Sequence, residues 1–235
     1  MLNKNSQDII AIIPAAGIGK RMNIDLPKQY LLLDNLTIIE HSILRLLSVS
    51  DIKKIYVVIS SNDVFFKKLP ISKNHRVFTV IGGKTRFESV FSGLKAINAH
   101  INWVLIHDAV RPFLNKKDLI RLLAIRCYSK VGAILASPIT NTIKISNNLY
   151  KNKILKTLDR ERLWNAMTPQ LFPYKVLLYC FNQVYKKKIC VTDESSTLEI
   201  FGYFPEIIEG NSTNIKITTI EDLLFANFYL QHRKK

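Results

Sequence analysis

Short apolar runs alternate with longer segments that repeat apolar residues every third or fourth position along most of this 235-residue chain. The runs DIIAIIP (8–14), KIYVVIS (54–60), RVFTVI (76–81), NWVLIHD (102–108) and GAILASP (132–138) are short and rich in β-branched residues, so they read as strands. Between them, IIEHSILRLLSV (38–49), RFESVFSGLKAIN (86–98) and KKDLIRLLAIRCY (116–128) carry helical spacing. This alternation, with strands apolar on both faces, predicts an α/β fold: a mostly parallel, doubly wound, Rossmann-like sheet covered by helices on both sides. Ligands of such sheets collect outside the carboxyl ends of the strands. The loop at residues 15–22 and the polar stretch at 107–112 both follow strands and should share that edge.

After Pro138 the period changes. TIKISNNLYKNKILKTL (142–158) alternates apolar and polar residues around Asn147-Asn148 and predicts a β-hairpin. A lone hairpin is marginal in water, so it must pack on something, and a second subunit is the natural candidate. Helical patterns return at 174–185 and 193–203, followed by a predicted strand pair, EIIEG (206–210) with NIKIT (214–218), and a last helix from Ile220 to about Gln231. The simplest account is a single domain over residues 1–235, with 139–161 as a protruding arm.

Composition narrows the function. With 48% hydrophobic and 22% charged residues the chain is that of a folded protein. Cys127, Cys180 and Cys190 form no CxxC pair, which argues against a disulfide framework or structural zinc and favours a reducing cytoplasm. No apolar stretch reaches transmembrane length, and the first residues lack a signal-peptide core, so no membrane partner is expected. The net charge of +16 suits either a nucleic-acid footprint or a site for phosphorylated small molecules. The lysines lie in turns and tails rather than on one stripe, so specific nucleic-acid binding is not expected.

Four polar clusters fall at strand ends or beyond. IIPAAGIGKRM (12–22) resembles a phosphate cradle, although Met22 and Arg21 break the dinucleotide and P-loop patterns. With Lys28, fixed behind Pro27, Arg21 would face a triphosphate; the plainer alternative is solvated surface charge. In IGGKTRFES (81–89), Gly83 and Ser89 can face a ligand's edge, or the glycines are only a turn. In IHDAVRP (106–112), Asp108 at the end of a buried strand suits a hard metal such as Mg²⁺, or a structural pairing with Arg111. His107 is a possible further ligand or a core residue. Late in the chain, Arg160 and Thr168 in DRERLWNAMTPQ (159–170) could take a second phosphate, with Lys216 on the predicted strand at 214–218.

The ordered set PAAGIGKRM, LPKQYL, GGKTRFESVFSGL, HDAVRPF, SPITNTIK, LDRERLWNAMTPQLF, VTDESS and NIKITTIEDL resembles the 2-C-methyl-D-erythritol 4-phosphate cytidylyltransferase family over nearly the whole chain. The resemblance implies a nucleotidyltransferase fold and transfer of CMP from CTP to 2-C-methyl-D-erythritol 4-phosphate, giving 4-diphosphocytidyl-2-C-methyl-D-erythritol and pyrophosphate, in non-mevalonate isoprenoid synthesis. It assigns the triphosphate to the loop with Ala15, Ala16, Gly17 and Gly19, and catalytic charge neutralisation to Arg21, Lys28 and Lys216. Cytosine falls to Gly83, Lys84 and Ser89, and Mg²⁺ to Asp108. The polyol phosphate falls to Thr142, Arg160, Thr168 and Arg111, with Thr142 and Arg160 reaching the partner's site across a homodimer that exchanges arms.

Two departures stand out. Asn141 stands where family members often carry Asp, and Lys84 occupies a variable position, so any cytosine contact there should come from backbone. Ribitol 5-phosphate cytidylyltransferase, a sugar nucleotidyltransferase using another base, and a nucleic-acid-binding module are the alternatives.

Overall fold

The computed structural model describes residues 8–17, 26–98, 101–147 and 152–233. Strands β1 (Ile9–Pro14), β2 (Leu32–Leu33) and β3 (Leu36–Thr37) precede helix α1 (Ile38–Leu47), then β4 (Ile52–Ile59), β5 (Val77–Ile81) and α2 (Arg86–Lys95). They are followed by β6 (Trp103–Ile106), α3 (Lys116–Ala124), β7 (Ala133–Pro138) and the arm strands β8 (Lys144–Ser146) and β9 (Ile154–Thr157). The chain ends with β10 (Trp164–Pro173), α4 (Tyr174–Lys187), α5 (Glu194–Glu199), β11 (Glu206–Glu209) and α6 (Ile220–Arg233).

The main sheet has seven strands in the order β11-β7-β10-β6-β1-β4-β5. All its pairings are parallel except the two made by β10, which runs antiparallel to β6 and β7. Burial follows the two-residue period of the strands. Ile9, Ala11 and Ile13 face the layer of α1 and α3, whereas Ile10 and Ile12 face α2 and α4. This is the predicted doubly wound α/β architecture.

Strand β10 escaped the sequence reading because its polar residues Asn165, Thr168 and Gln170 do not alternate regularly with apolar ones and because it contains Pro169, which has no N–H for a ladder. The β10–β7 register shifts between Ala166 and Gln170, around that proline. The predicted strand pair at 206–218 is corrected as well. β11 pairs with β7, and residues 214–218 form no strand. There Ile215 and Ile217 turn inward around Lys216, and Ile217 N–H donates to the Val110 carbonyl at 2.9 Å. The alternation of a strand is present, but only this one ladder-like bond.

The predicted hairpin forms: β8 and β9 pair antiparallel and stand apart from the main sheet. The tip, 148–151, lies outside the described residues. No helix among the described residues is long and apolar enough to cross a membrane.

Candidate active site

The loops that leave β1, β5 and β6 wall an open cleft of about 310 Å³. Ala15, Ala16 and Gly17 form one wall and Gly83, Lys84 and Ser89 another. Asp108 lies on the floor, and Lys28 and Lys216 complete the lining. The expectation that the loop after β1 and the stretch after β6 share one edge is met, and Lys216, more than 100 residues downstream of Asp108, joins them in the lining. Gly19 and Arg21 lie outside the described residues.

Local chemistry explains these placements. Lys28 opens a helical turn, Lys28–Tyr30, behind Pro27, whose ring fixes the entering backbone. At the second wall, Thr85 and Glu88 form a capping box that starts α2 and turns the helix N-terminus toward the cleft. Close packing demands glycine before it: a Cβ on Gly82 would lie 2.8 Å from Ser89 Oγ, and one on Gly83 would lie 2.3 Å from Glu88 Cβ. The Glu88 carboxylate accepts the N–H groups of Lys84 and Thr85, so Lys84 has no backbone N–H to spare for a base. Ser89 Oγ donates to the Thr85 carbonyl at 2.9 Å.

Asp108 is the acidic side chain in the cleft lining and is only 5% exposed. Lys216 Nζ lies 2.9 Å from its Oδ2, Arg111 Nε 3.3 Å from the same oxygen, and Arg86 Nη2 3.2 Å from Oδ1. Burial opposes a charge here, but Arg86, Lys216 and Arg111 together outweigh it and hold the carboxyl well below the usual range. Arg86 in turn makes two bonds to Glu194, at 2.6 and 3.0 Å. Glu194 is buried, which raises its carboxyl above the ordinary value against the pull of Arg86.

Beneath the floor the hydrogen bonds are closed. Asp108 N–H donates to Thr168 Oγ1 at 2.9 Å, and that hydroxyl also meets His107 Nδ1 at 3.1 Å. His107 Nε2 meets the Arg111 carbonyl at 3.2 Å. With both ring nitrogens engaged and no exposure, His107 is a core residue rather than a ligand, and burial pushes its pKa down to about 4. Arg111 Nη1 donates to the Asn214 carbonyl at 2.7 Å. Thr168 and Arg111 therefore sit under the cleft and shape it through Asp108. Thr142 and Arg160 are exposed on the arm and do not line this chain's cleft; Arg160 Nη1 donates to the Thr140 carbonyl.

Comparison with known proteins identifies the family. The family model described as 2-C-methyl-D-erythritol 4-phosphate cytidylyltransferase matches residues 9–232. The chain belongs to this family. A relative of that name from Buchnera aphidicola subsp. Schizaphis graminum is 50% identical over 236 residues, covering 100% of this chain and 99% of its own. Another, from Escherichia coli O1:K1 / APEC, is 45% identical over 223 residues, covering 95% and 94%. The solved 4-diphosphocytidyl-2C-methyl-D-erythritol synthase of Anaerococcus prevotii has a TM-score of 0.83 at 31% identity, covering 96% of this chain and 99% of that one. The cytidylyltransferase of Francisella tularensis has a TM-score of 0.80 at 36% identity, covering 94% and 99%.

Within this cytidylyltransferase chain, sequence reasoning assigned no role to Arg86, Glu194 or Gln29. Arg86 lay inside the quoted GGKTRFES and Glu194 inside VTDESS, so the signal was an unassigned cation and carboxylate in two of the family's own motifs. As for a metal, no group of three His, Cys, Asp or Glu gathers among the described residues. The structural pairing of Asp108 with Arg111 forms, and Lys216 and Arg86 engage the same carboxylate; it is the group that would hold Mg²⁺, an ion that commonly takes one or two carboxylates and completes its shell with water and substrate phosphate, in exchange for part of these contacts.

Proposed function

We propose that the cleft performs the reaction of its family: CMP passes from CTP to 2-C-methyl-D-erythritol 4-phosphate and pyrophosphate leaves, in isoprenoid precursor synthesis. One observation carries this reading: Lys28, Lys216 and the small-residue loop 15–17 converge on one buried carboxylate at the carboxyl edge of the sheet. Two anions that repel each other must meet there, so alignment and charge neutralisation are the main demands. Lys28, Lys216 and Arg21 supply positive charge, and Ala15, Ala16, Gly17 and Gly19 bring backbone close to the triphosphate. Gly83, Lys84 and Ser89 border the base. Asp108 would hold Mg²⁺, whose chemistry is to offset charge on phosphate oxygens.

No general base is demanded of the protein. The second ionisation of a phosphate monoester lies near pH 6, so the attacking oxygen is already largely deprotonated at neutral pH. His107, buried and bonded at both nitrogens, is not offered for that task.

The arm belongs to the same proposal. Ile154 and Leu155 are 65% and 60% exposed, a costly display for a hairpin facing only water. In a homodimer with exchanged arms they are covered, and Thr142 and Arg160 of one protomer reach the polyol phosphate in the other's cleft. We place the enzyme in the cytoplasm, where three unpaired cysteines and CTP are both at home.

The test is to supply CTP and Mg²⁺ with either 2-C-methyl-D-erythritol 4-phosphate or ribitol 5-phosphate and follow pyrophosphate. Release with the first and not the second is expected. Release with ribitol 5-phosphate alone transfers the assignment to that alternative, which no observation in the structure favours.

A further inference from the structure

Gln29 stands directly after Lys28, lines the cleft, and is only 4% exposed. Its side-chain Nε2 donates to two backbone carbonyls of the opposite wall, Ala15 at 2.7 Å and Gly17 at 3.1 Å. Both partners are acceptors, so the amide nitrogen is the group that faces them. The residue next to this clamp is itself immobilised. Tyr30 is 4% exposed, its hydroxyl donates to Asp63 Oδ2 at 2.5 Å, and its ring packs against Phe65 with centroids 5.2 Å apart and planes tilted by 34°.

In a trans peptide the C=O and the N–H point to opposite sides. Drawing the Ala15 carbonyl down onto Gln29 therefore turns the Ala16 N–H away from the buried amide, toward the open side. Among the described residues, neither Ala16 nor Gly17 uses its N–H in a hydrogen bond. Two open donors on a loop of small residues form a concavity suited to phosphate oxygens.

We propose that Gln29 is a positioning residue that holds loop 15–17 in the conformation that presents these N–H groups to the polyphosphate of the nucleotide. It touches no reacting atom; it acts through the loop. This rests on the reading that the cleft takes CTP. The proposal adds that affinity for the β- and γ-phosphates, rather than for the nucleoside, depends on a neutral amide at position 29. Glutamate there would set a carboxylate against two carbonyl oxygens, and methionine would keep the volume without the donors.

The experiment compares wild-type protein with Gln29→Met and Gln29→Glu. It measures CTP and CMP binding by calorimetry, KM and kcat for pyrophosphate release, and thermal unfolding. In both variants CTP binding should weaken by about tenfold or more, the scale of a lost hydrogen bond to a charged group. CMP binding should move far less, and kcat at saturating CTP should stay within severalfold. CTP affinity unchanged in a folded Gln29→Met protein overturns the proposal. Equal weakening of CTP and CMP overturns it as well, because Gln29 would then support only the wall. If Gln29→Met does not fold, Gln29→Asn, whose amide stops short of both carbonyls, carries the same expectations. Failure of the wild-type enzyme to release pyrophosphate would refute the functional reading itself, whereas the CTP and CMP comparison judges the clamp separately.

Discussion

Lys216 shows how a single cation is aimed. Ile215 and Ile217 on either side pack inward, which leaves its ammonium 2.9 Å from Asp108 at the cleft surface. Removing that charge by Lys216→Met keeps the aliphatic stem, so kcat should fall by about a hundredfold while the melting temperature changes little, as for loss of one transition-state contact. Lys28→Ala should do the same, and near-normal turnover in either variant would contradict its role. His107 makes a prediction of another kind. Burial lowers its pKa to about 4, below the ordinary 6.5, so below pH 6.5 the unfolded chain takes up a proton that the native state refuses. Its contribution to stability is complete above pH 6.5 and is lost as pH falls toward 4, at up to about 1.4 kcal/mol per pH unit. Urea midpoints for wild type and His107→Gln across that window should diverge in slope; parallel lines would assign the loss to another group. Asp108 acts with the same sign in a lower window, because a depressed carboxyl loses its contribution only as pH falls below its ordinary pKa near 4. Asp108 was legible because a carboxylate just past a buried strand is conspicuous, Lys28 because it follows Pro27 close to a glycine-bearing loop, and Lys216 because it lies in the family motif NIKITTIEDL. Thr168 and Arg111 were visible as polar residues, but Thr168 lies within the shifted stretch of β10 and Arg111 is aimed by the distant Asn214 carbonyl, neither of which a local pattern reveals.

At the scale of elements, β1, β4, β6 and β7 were readable because their buried cores are apolar runs with no competing helical period, and β5, a largely exposed edge strand, because VFTVI is short and β-branched and ends at Gly82-Gly83. β10 was not, because irregular alternation and Pro169 hide a strand that pairs on both sides. Lys216 was placed on a strand for the converse reason: alternate burial looks like a ladder even where one backbone bond is made. Helix α2 lends itself to a test. Its capping box uses Glu88 three times over, taking N–H groups from Lys84 and Thr85 while Thr85 Oγ1 accepts from Glu88 N–H. Glu88→Ala removes two of these bonds and should cost about 1 kcal/mol. A lowering of the melting temperature by roughly 2–4 °C is expected for a domain of this size. The same change frees the Lys84 N–H, so calorimetry with cytidine nucleotides should register a shift in affinity beyond the loss of stability. Unchanged stability would mean that the first turn of α2 is held by packing alone.

At the scale of the whole molecule, the cleft of one protomer holds Lys28, Asp108 and Lys216, whereas Thr142 and Arg160 stand exposed on an arm that pairs only with itself among the described residues. Exposed Ile154 and Leu155 give that arm an apolar surface in search of cover. If arms are exchanged, every complete site draws on two chains, and a defect in the cleft can be separated from a defect in the arm. Lys28→Ala chains keep a sound arm, and Arg160→Ala chains keep a sound cleft. In a mixed dimer one of the two sites combines the sound cleft of the second chain with the sound arm of the first. Co-refolding the two inactive variants in equal amounts gives, by random pairing, half of all dimers as mixed and one working site in each. Activity should therefore return to about a quarter of wild type. Isolating the mixed dimer through two different affinity tags should raise that to about half. Mixed dimers that stay as inactive as either parent would show that Arg160 serves its own chain, and the exposed apolar face of β9 would then demand a different partner.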